Sequence, residues 1–135
     1  MSVKAIVFDG NTTKFSPEAF PGVQLQSYIH PDPQWHDGYD ANIHGAPDVR
    51  FSFGIFTIAP HHSWPITKFS IAEVIYVLSG TARLTAGDES FDLKEGQVVY
   101  LPKNLPRSIE NTSDVPFRFL DMVDPAWQPE FEVAL

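Results

Sequence analysis

The chain has 135 residues, a formal net charge of −8 at neutral pH and no cysteine. This length suits one domain with a self-sufficient core, and the missing thiols exclude disulfides and thiolate metal sites. The acidic balance argues against nucleic-acid or anionic-membrane partners, both of which need a basic surface. The opening Met1–Asp9 has no secretory-leader layout, and no stretch approaches the ~20 apolar residues of a membrane span. The expected location is the cytoplasm.

Residues 1–50 read as an irregular, proline-rich N-terminal arm packed on the remainder of the chain. Pro17, Pro21, Pro31, Pro33 and Pro47 break any long helix or central strand. Within the arm, Val3–Phe8 and Val23–Ile29 alternate well enough for short strands. A loop then spans His30–Ala46 and carries His36 and His44.

From residue 51 to the end at 135 the pattern changes to short strands at regular spacing. Phe51–Ile58 alternates aromatic and small residues, and Pro60–Pro65 reads as a break. Then come Glu73–Leu78, Thr81–Ala86, a Gly87-Asp88 turn, Ser90–Leu93, Gln97–Leu101, Arg107–Asn111 and Phe117–Val123. Such spacing predicts an all-β sandwich or barrel. The tail 124–135, with Trp127 and Phe131, is expected to pack back on the barrel or on a partner.

Glu73 stands at the head of a strand that is apolar on both faces. Ile71, Glu73, Ile75 and Val77 share one face, and Val74, Tyr76 and Leu78 the other. A carboxylate in that setting is costly unless something pairs with it.

Two motifs frame this strand. Glu73 and Gly80 are separated by six residues, and Gly96, Pro102, Asn104, Arg107 and Asn111 come after them in order. The pattern resembles the cupins, whose second motif has glycine and histidine where this chain has Asn104 and Arg107. The resemblance covers roughly residues 51–125 and implies a jelly-roll β-barrel. Metal-binding cupins carry His-x-His just before the glutamate; the corresponding region here is Ile66, Thr67, Lys68 and Phe69. All five histidines (His30, His36, His44, His61, His62) precede Glu73. Within the superfamily, Trp64-Pro65, Val99–Lys103 and Asp124–Trp127 resemble the ethanolamine-utilisation (EutQ-type) cupins, which likewise lack the histidine set. Acetate kinase activity and microcompartment association are described for that group; a shared fold does not transfer the reaction.

If the motif alignment holds, Glu73 and Arg107 meet in the barrel mouth, where the guanidinium takes the place of a metal's positive charge. This allows two readings: a buried ion pair, or a fork for a carboxylate or phosphate on a small ligand. Trp64 and Tyr100 are added as candidate ligand contacts. Arg118 and Asp121 lie on opposite faces of the last strand, so one points inward and the other outward. The leading expectation is a metal-free pocket for a small polar or anionic molecule, in a homodimer that covers Val74, Tyr76, Leu78 and the aromatic tail. One alternative is a metal-dependent oxygenase, isomerase or lyase holding iron, zinc or manganese through His61, His62 and Glu73, with His44 or His36 as further ligands. The other is a non-catalytic scaffold or sensor. No Ser-His-Asp, P-loop or dinucleotide fingerprint is present.

Overall fold

Alternation of apolar side chains along short strands leads to two sheets packed face to face, and that is the observed architecture. The computed structural model describes residues 4–32 and 44–135. Eleven strands occur among the described residues: β1 (Val23–His30), β2 (His44–Gly45), β3 (Ser52–Ile58), β4 (Ser63–Phe69), β5 (Ala72–Ser79), β6 (Thr81–Ala86), β7 (Glu89–Lys94), β8 (Val98–Leu101), β9 (Pro106–Glu110), β10 (Phe117–Asp124) and β11 (Glu132–Ala134). One sheet runs β2-β1-β3-β10-β5-β8 and the other β11-β4-β9-β6-β7. Every pairing is antiparallel except the short β1–β2 contact. The result is the expected jelly-roll. No helix of the described residues is long and apolar enough to cross a membrane.

The barrel has a packed end and an open end, and the strand register defines both. Val23, Ile58 and Phe117 lie side by side across β1, β3 and β10, all fully buried. Ile75, Val77, Leu84, Ile109 and Phe119 complete this apolar floor. At the other end Ser52, Val123, Glu73 and Leu101 are level with one another across β3, β10, β5 and β8. Polar groups enter the interior there.

Three local features explain where the strands start, stop and bend. Gly80 makes the one-residue link between β5 and β6 at φ 84°, and a Cβ on it would lie 2.4 Å from the Pro116 carbonyl oxygen. Glycine is therefore required. Asn104 sits at φ 70°, in the left-handed region that asparagine tolerates better than most residues, which is how it stands where the motif has glycine. Asn111, fully buried, donates through Nδ2 to the carbonyls of Ile58 (3.0 Å), Ala59 (3.3 Å) and Val115 (2.9 Å), and its Oδ1 accepts from the Ser113 N–H and hydroxyl. It pins the loop before β10 to the end of β3.

Three expectations need correction. Residues 4–8 form no strand. Part of the arm is built into the barrel, since β1 pairs with β3 along its length. Half of the Pro60–Pro65 break is strand: β4 starts at Ser63 and runs through Pro65, at a register shift between Trp64 and Thr67 where β9 asks for no donor. The tail packs back on the barrel as expected: it returns as β11, which pairs with β4 through Glu132↔Phe69 and its two neighbours.

Candidate functional site in the barrel mouth

Glu73 points inward because Ile75 and Val77, two and four residues on, fill the core on the same face. Arg107 arrives from the opposite sheet, where β9 pairs it with Thr67 of β4 and Ala86 of β6. The two meet. Arg107 Nη2 donates to both Glu73 oxygens, at 3.0 and 3.2 Å, with the side chains 2% and 1% exposed. The guanidinium lies between two rings, its central carbon 4.3 Å from the centroids of both Trp64 and Phe69. Flat, weakly hydrated guanidinium stacks well on aromatic faces, and this offsets part of its burial cost. Arg107 Nε and Nη1 have no acceptor and are buried.

Two further carboxyls join this pair. On β10 the inward side chain is Asp121; Arg118 faces away from the interior and donates through Nη2 to Gln26 Oε1. Burial, with the adjacent Glu73 second, pushes the Asp121 carboxyl well above its usual 3.8. Its protonated form is favoured and hydrogen-bonds to Glu73. Glu132, from β11, accepts from Trp64 Nε1 at 3.1 Å and from Trp127 Nε1 at 3.3 Å. Burial raises the Glu132 carboxyl too, while Arg107, Thr67 and Trp64 pull it back down.

Above this group lies a cavity of about 140 Å³. Leu25, Ser27, Ile29 and His30 of β1 form one wall, and Ser52, Phe53, Gly54 and Phe56 of β3 another. Trp64, Phe69, Trp127 and Glu132 close the far side, Asp121 and Val123 come from β10, and Ser16, Ala19 and Phe20 reach over from the N-terminal segment. That segment is held by Gln26, whose Nε2 donates to the carbonyls of Gly10 (2.7 Å) and Thr13 (3.0 Å), and by Ser16 bonded to Leu25. His30 uses both ring nitrogens: Nδ1 accepts from the Asp32 N–H and Nε2 donates to the Trp127 carbonyl. Arg107 and Glu73 do not line the cavity; they lie behind its aromatic wall.

Glu73 and Arg107 are thus brought together, as the motif spacing implies, and the candidate Trp64 stacks on the guanidinium. Tyr100 is not with them. Its neighbour Leu101 faces Glu73 across β5 and β8, so parity turns Tyr100 to the outer surface, where it is 66% exposed. His61 and His62 are also elsewhere. They come after β3 at the packed end, six residues along the strand from the level of Glu73, or ~20 Å. His61 Nε2 lies 2.7 Å from Asp114 Oδ1, His62 Nδ1 contacts the Pro60 carbonyl, and both side chains are exposed. His36 and the His44 side chain lie outside the described residues. No group of three His, Cys, Asp or Glu able to hold a metal occurs among the described residues. Sequence reasoning missed Glu132, His30 and Phe69 as site residues, and left Asp121 open. For Glu132 and His30 no local pattern would have found them, because the tail and β1 reach the site through tertiary packing.

The family description "Cupin domain" matches residues 54–123. An uncharacterised protein of Methanocaldococcus jannaschii is 32% identical over 62 residues, 46% of this chain; the chain spans half the length of that relative. The polyketide cyclase RemF of Streptomyces resistomycificus superposes with a TM-score of 0.70 at 20% identity, over 90% of this chain and 80% of its own. Oxalate decarboxylase of Lactobacillus farciminis, in its formate complex, gives 0.70 at 18% identity, over 95% of this chain and 35% of its own. These two likenesses speak for the fold alone. With the family match over more than half its length, the two-sheet jelly-roll and the motif residues Glu73 and Gly80, the chain belongs to the cupin family.

Proposed function

We propose that this cupin binds a small molecule in the barrel-mouth cavity, and does so without a resident transition metal. The carrying observation is the cavity itself: about 140 Å³, walled by aromatic side chains, with the buried Asp121 at its edge and no donor to Asp121 Oδ1. A cavity of roughly 150 Å³ accommodates a molecule the size of benzene. Apolar walls with a few convergent polar groups are the usual make-up of a small-molecule site.

The donor set around Glu73 does not fit a divalent metal. Both of its oxygens are engaged by a guanidinium, and Thr67 and Phe69 of β4 flank that guanidinium where imidazoles would be needed. Arginine keeps its charge and offers no lone pair. The likeness to EutQ-type cupins, which lack the histidine set, supports the same reading. The expected role of Arg107 as a fork for an anionic ligand is not supported, since the guanidinium is committed to Glu73 and set back from the cavity.

The test is a thermal-shift screen of benzene-sized fragments on EDTA-dialysed protein, with Ala19→Trp as a blocked-cavity control. Ligand at a hundredfold excess over its Kd adds about 2.7 kcal/mol to the folded state. Stabilisation by fragments in the chelated protein, lost in A19W, is the expected result. Stabilisation only after iron, zinc or manganese is restored would support the metal-dependent alternative. No stabilisation at all would leave a scaffold role as the better account.

A further inference from the structure

The arrangement of charge around the cavity, together with its walls, says which chemical class fits. We propose that the ligand is a small organic cation, an ammonium group on a compact apolar body, with Glu132 as its counter-charge. This inference rests on the cavity being the binding site.

Three carboxyls, Glu73, Asp121 and Glu132, surround one guanidinium, Arg107. The guanidinium is taken by Glu73 at 3.0 and 3.2 Å. Asp121 hydrogen-bonds to Glu73 through its own proton and adds no further charge in that form. Glu132 is left without an opposite charge in contact. The indole N–H groups of Trp64 and Trp127 that donate to it are neutral, so they orient the carboxylate without cancelling it. In its ionised form Glu132 therefore gives the cavity a negative charge at one wall. Asp121, 7% exposed and lining the same space, has at Oδ1 a buried oxygen that no donor among the described residues reaches.

The remaining walls favour an organic cation over a bare ion. Phe20, Phe53, Phe56 and Trp127 present aromatic surface to the cavity. A cation within ~6 Å of such faces is attracted by the ring quadrupole, more strongly when desolvated. Calcium and magnesium require six or more oxygen ligands, which these walls do not supply. An anion would meet two carboxyls and find the Arg107 guanidinium stacked on Trp64 and Phe69 and set back from the cavity.

The experiment compares three probes of one shape and three charges: benzylammonium, benzyl alcohol and benzoate, titrated at pH 7 with the fluorescence of Trp64 and Trp127 as readout. Benzylammonium is expected to bind at least tenfold tighter than benzyl alcohol, with benzoate weakest. Glu132→Gln should bring the ammonium-to-alcohol ratio close to one. Should that variant fold poorly, Asp121→Leu, which removes the free Oδ1 acceptor, serves as the second, with a smaller fall in the same ratio. Equal binding of the ammonium and the alcohol, or tightest binding of benzoate, would overturn the cation assignment while leaving the cavity as a binding site. Binding of none of the three at millimolar concentration would overturn both.

Discussion

Removing Arg107 separates two accounts of the buried pair, one in which it is an electrostatic unit and one in which the guanidinium is aromatic packing. In Arg107→Met the Glu73 carboxylate, 1% exposed, loses its ionic partner among the described residues. Breaking a buried pair from one side costs about 3–5 kcal/mol. One correction runs the other way: methionine sulfur retains roughly 0.3–1.5 kcal/mol of contact with Trp64 and Phe69. The net expectation is a loss of about 3 kcal/mol, a large share of the ~5–15 kcal/mol available to a domain. In Glu73→Gln/Arg107→Met no carboxylate is stranded, and the new amide can donate to Asp121. The double variant should lie within about 1 kcal/mol of wild type, a coupling of roughly 2 kcal/mol. Urea unfolding at pH 7, with a constant m-value, measures both. A cost below 1 kcal/mol for R107M, or strict additivity in the double variant, would show that Arg107 contributes through its rings alone.

Other outcomes come from the same geometry. Asp121 and Glu132 have raised carboxyls in the fold, so each contributes stability that is full below its unfolded value, near 3.8 and 4.5, and is lost as pH rises through the higher folded value. The urea midpoint should therefore fall from pH 5 to pH 8, and Asp121→Asn should flatten the fall; an unchanged slope counts against the burial of that proton. Gly80→Ala should lower stability by about 1–3 kcal/mol, since the residue is left-handed and its Cβ would strike the Pro116 carbonyl; a thermal midpoint equal to wild type refutes this. We also propose a homodimer through the outer face of β5 and β8, where Val74 pairs with Tyr100 and Tyr76 with Val98 and three of the four are more than two-fifths exposed. Light scattering should give twice the chain mass, and Val98→Asp/Tyr100→Glu should give the monomer; a monomeric wild type at micromolar concentration removes the proposal.

Much of the barrel was legible because most of its strands alternate or end at glycine and proline. Thr81–Ala86 is observed as expected, and β3 and β5 to β10 fall within about two residues of their expected limits. The Glu73–Arg107 contact was legible for a different reason: motif spacing fixes which inward positions on two sheets face each other. β4 was hidden because a proline reads locally as a break, whereas at a bulge its missing N–H has nothing to satisfy. Motif proximity alone suggests Tyr100, although parity counted from Leu101 places it outside. The inward choice of Asp121 over Arg118 depends on strand phase, which the flanking Phe117, Phe119 and Val123 fix once β10 is packed. Glu132 was out of reach of any periodicity, because one three-residue strand carries it back across the sheet.

That last strand separates two evolutionary tasks. Val133 is 52% exposed, and β11 takes no part in the apolar floor that holds the sheets together. The acid proposed as the ligand's counter-charge is thus carried on a segment outside the apolar floor. On that proposal, exchanging Glu132 for glutamine, lysine or leucine would alter what the cavity accepts, yet leave Ile58, Ile75, Ile109 and Phe117 in the same environment. A lineage carrying this barrel could then change its ligand at the tail without rebuilding the floor of the barrel.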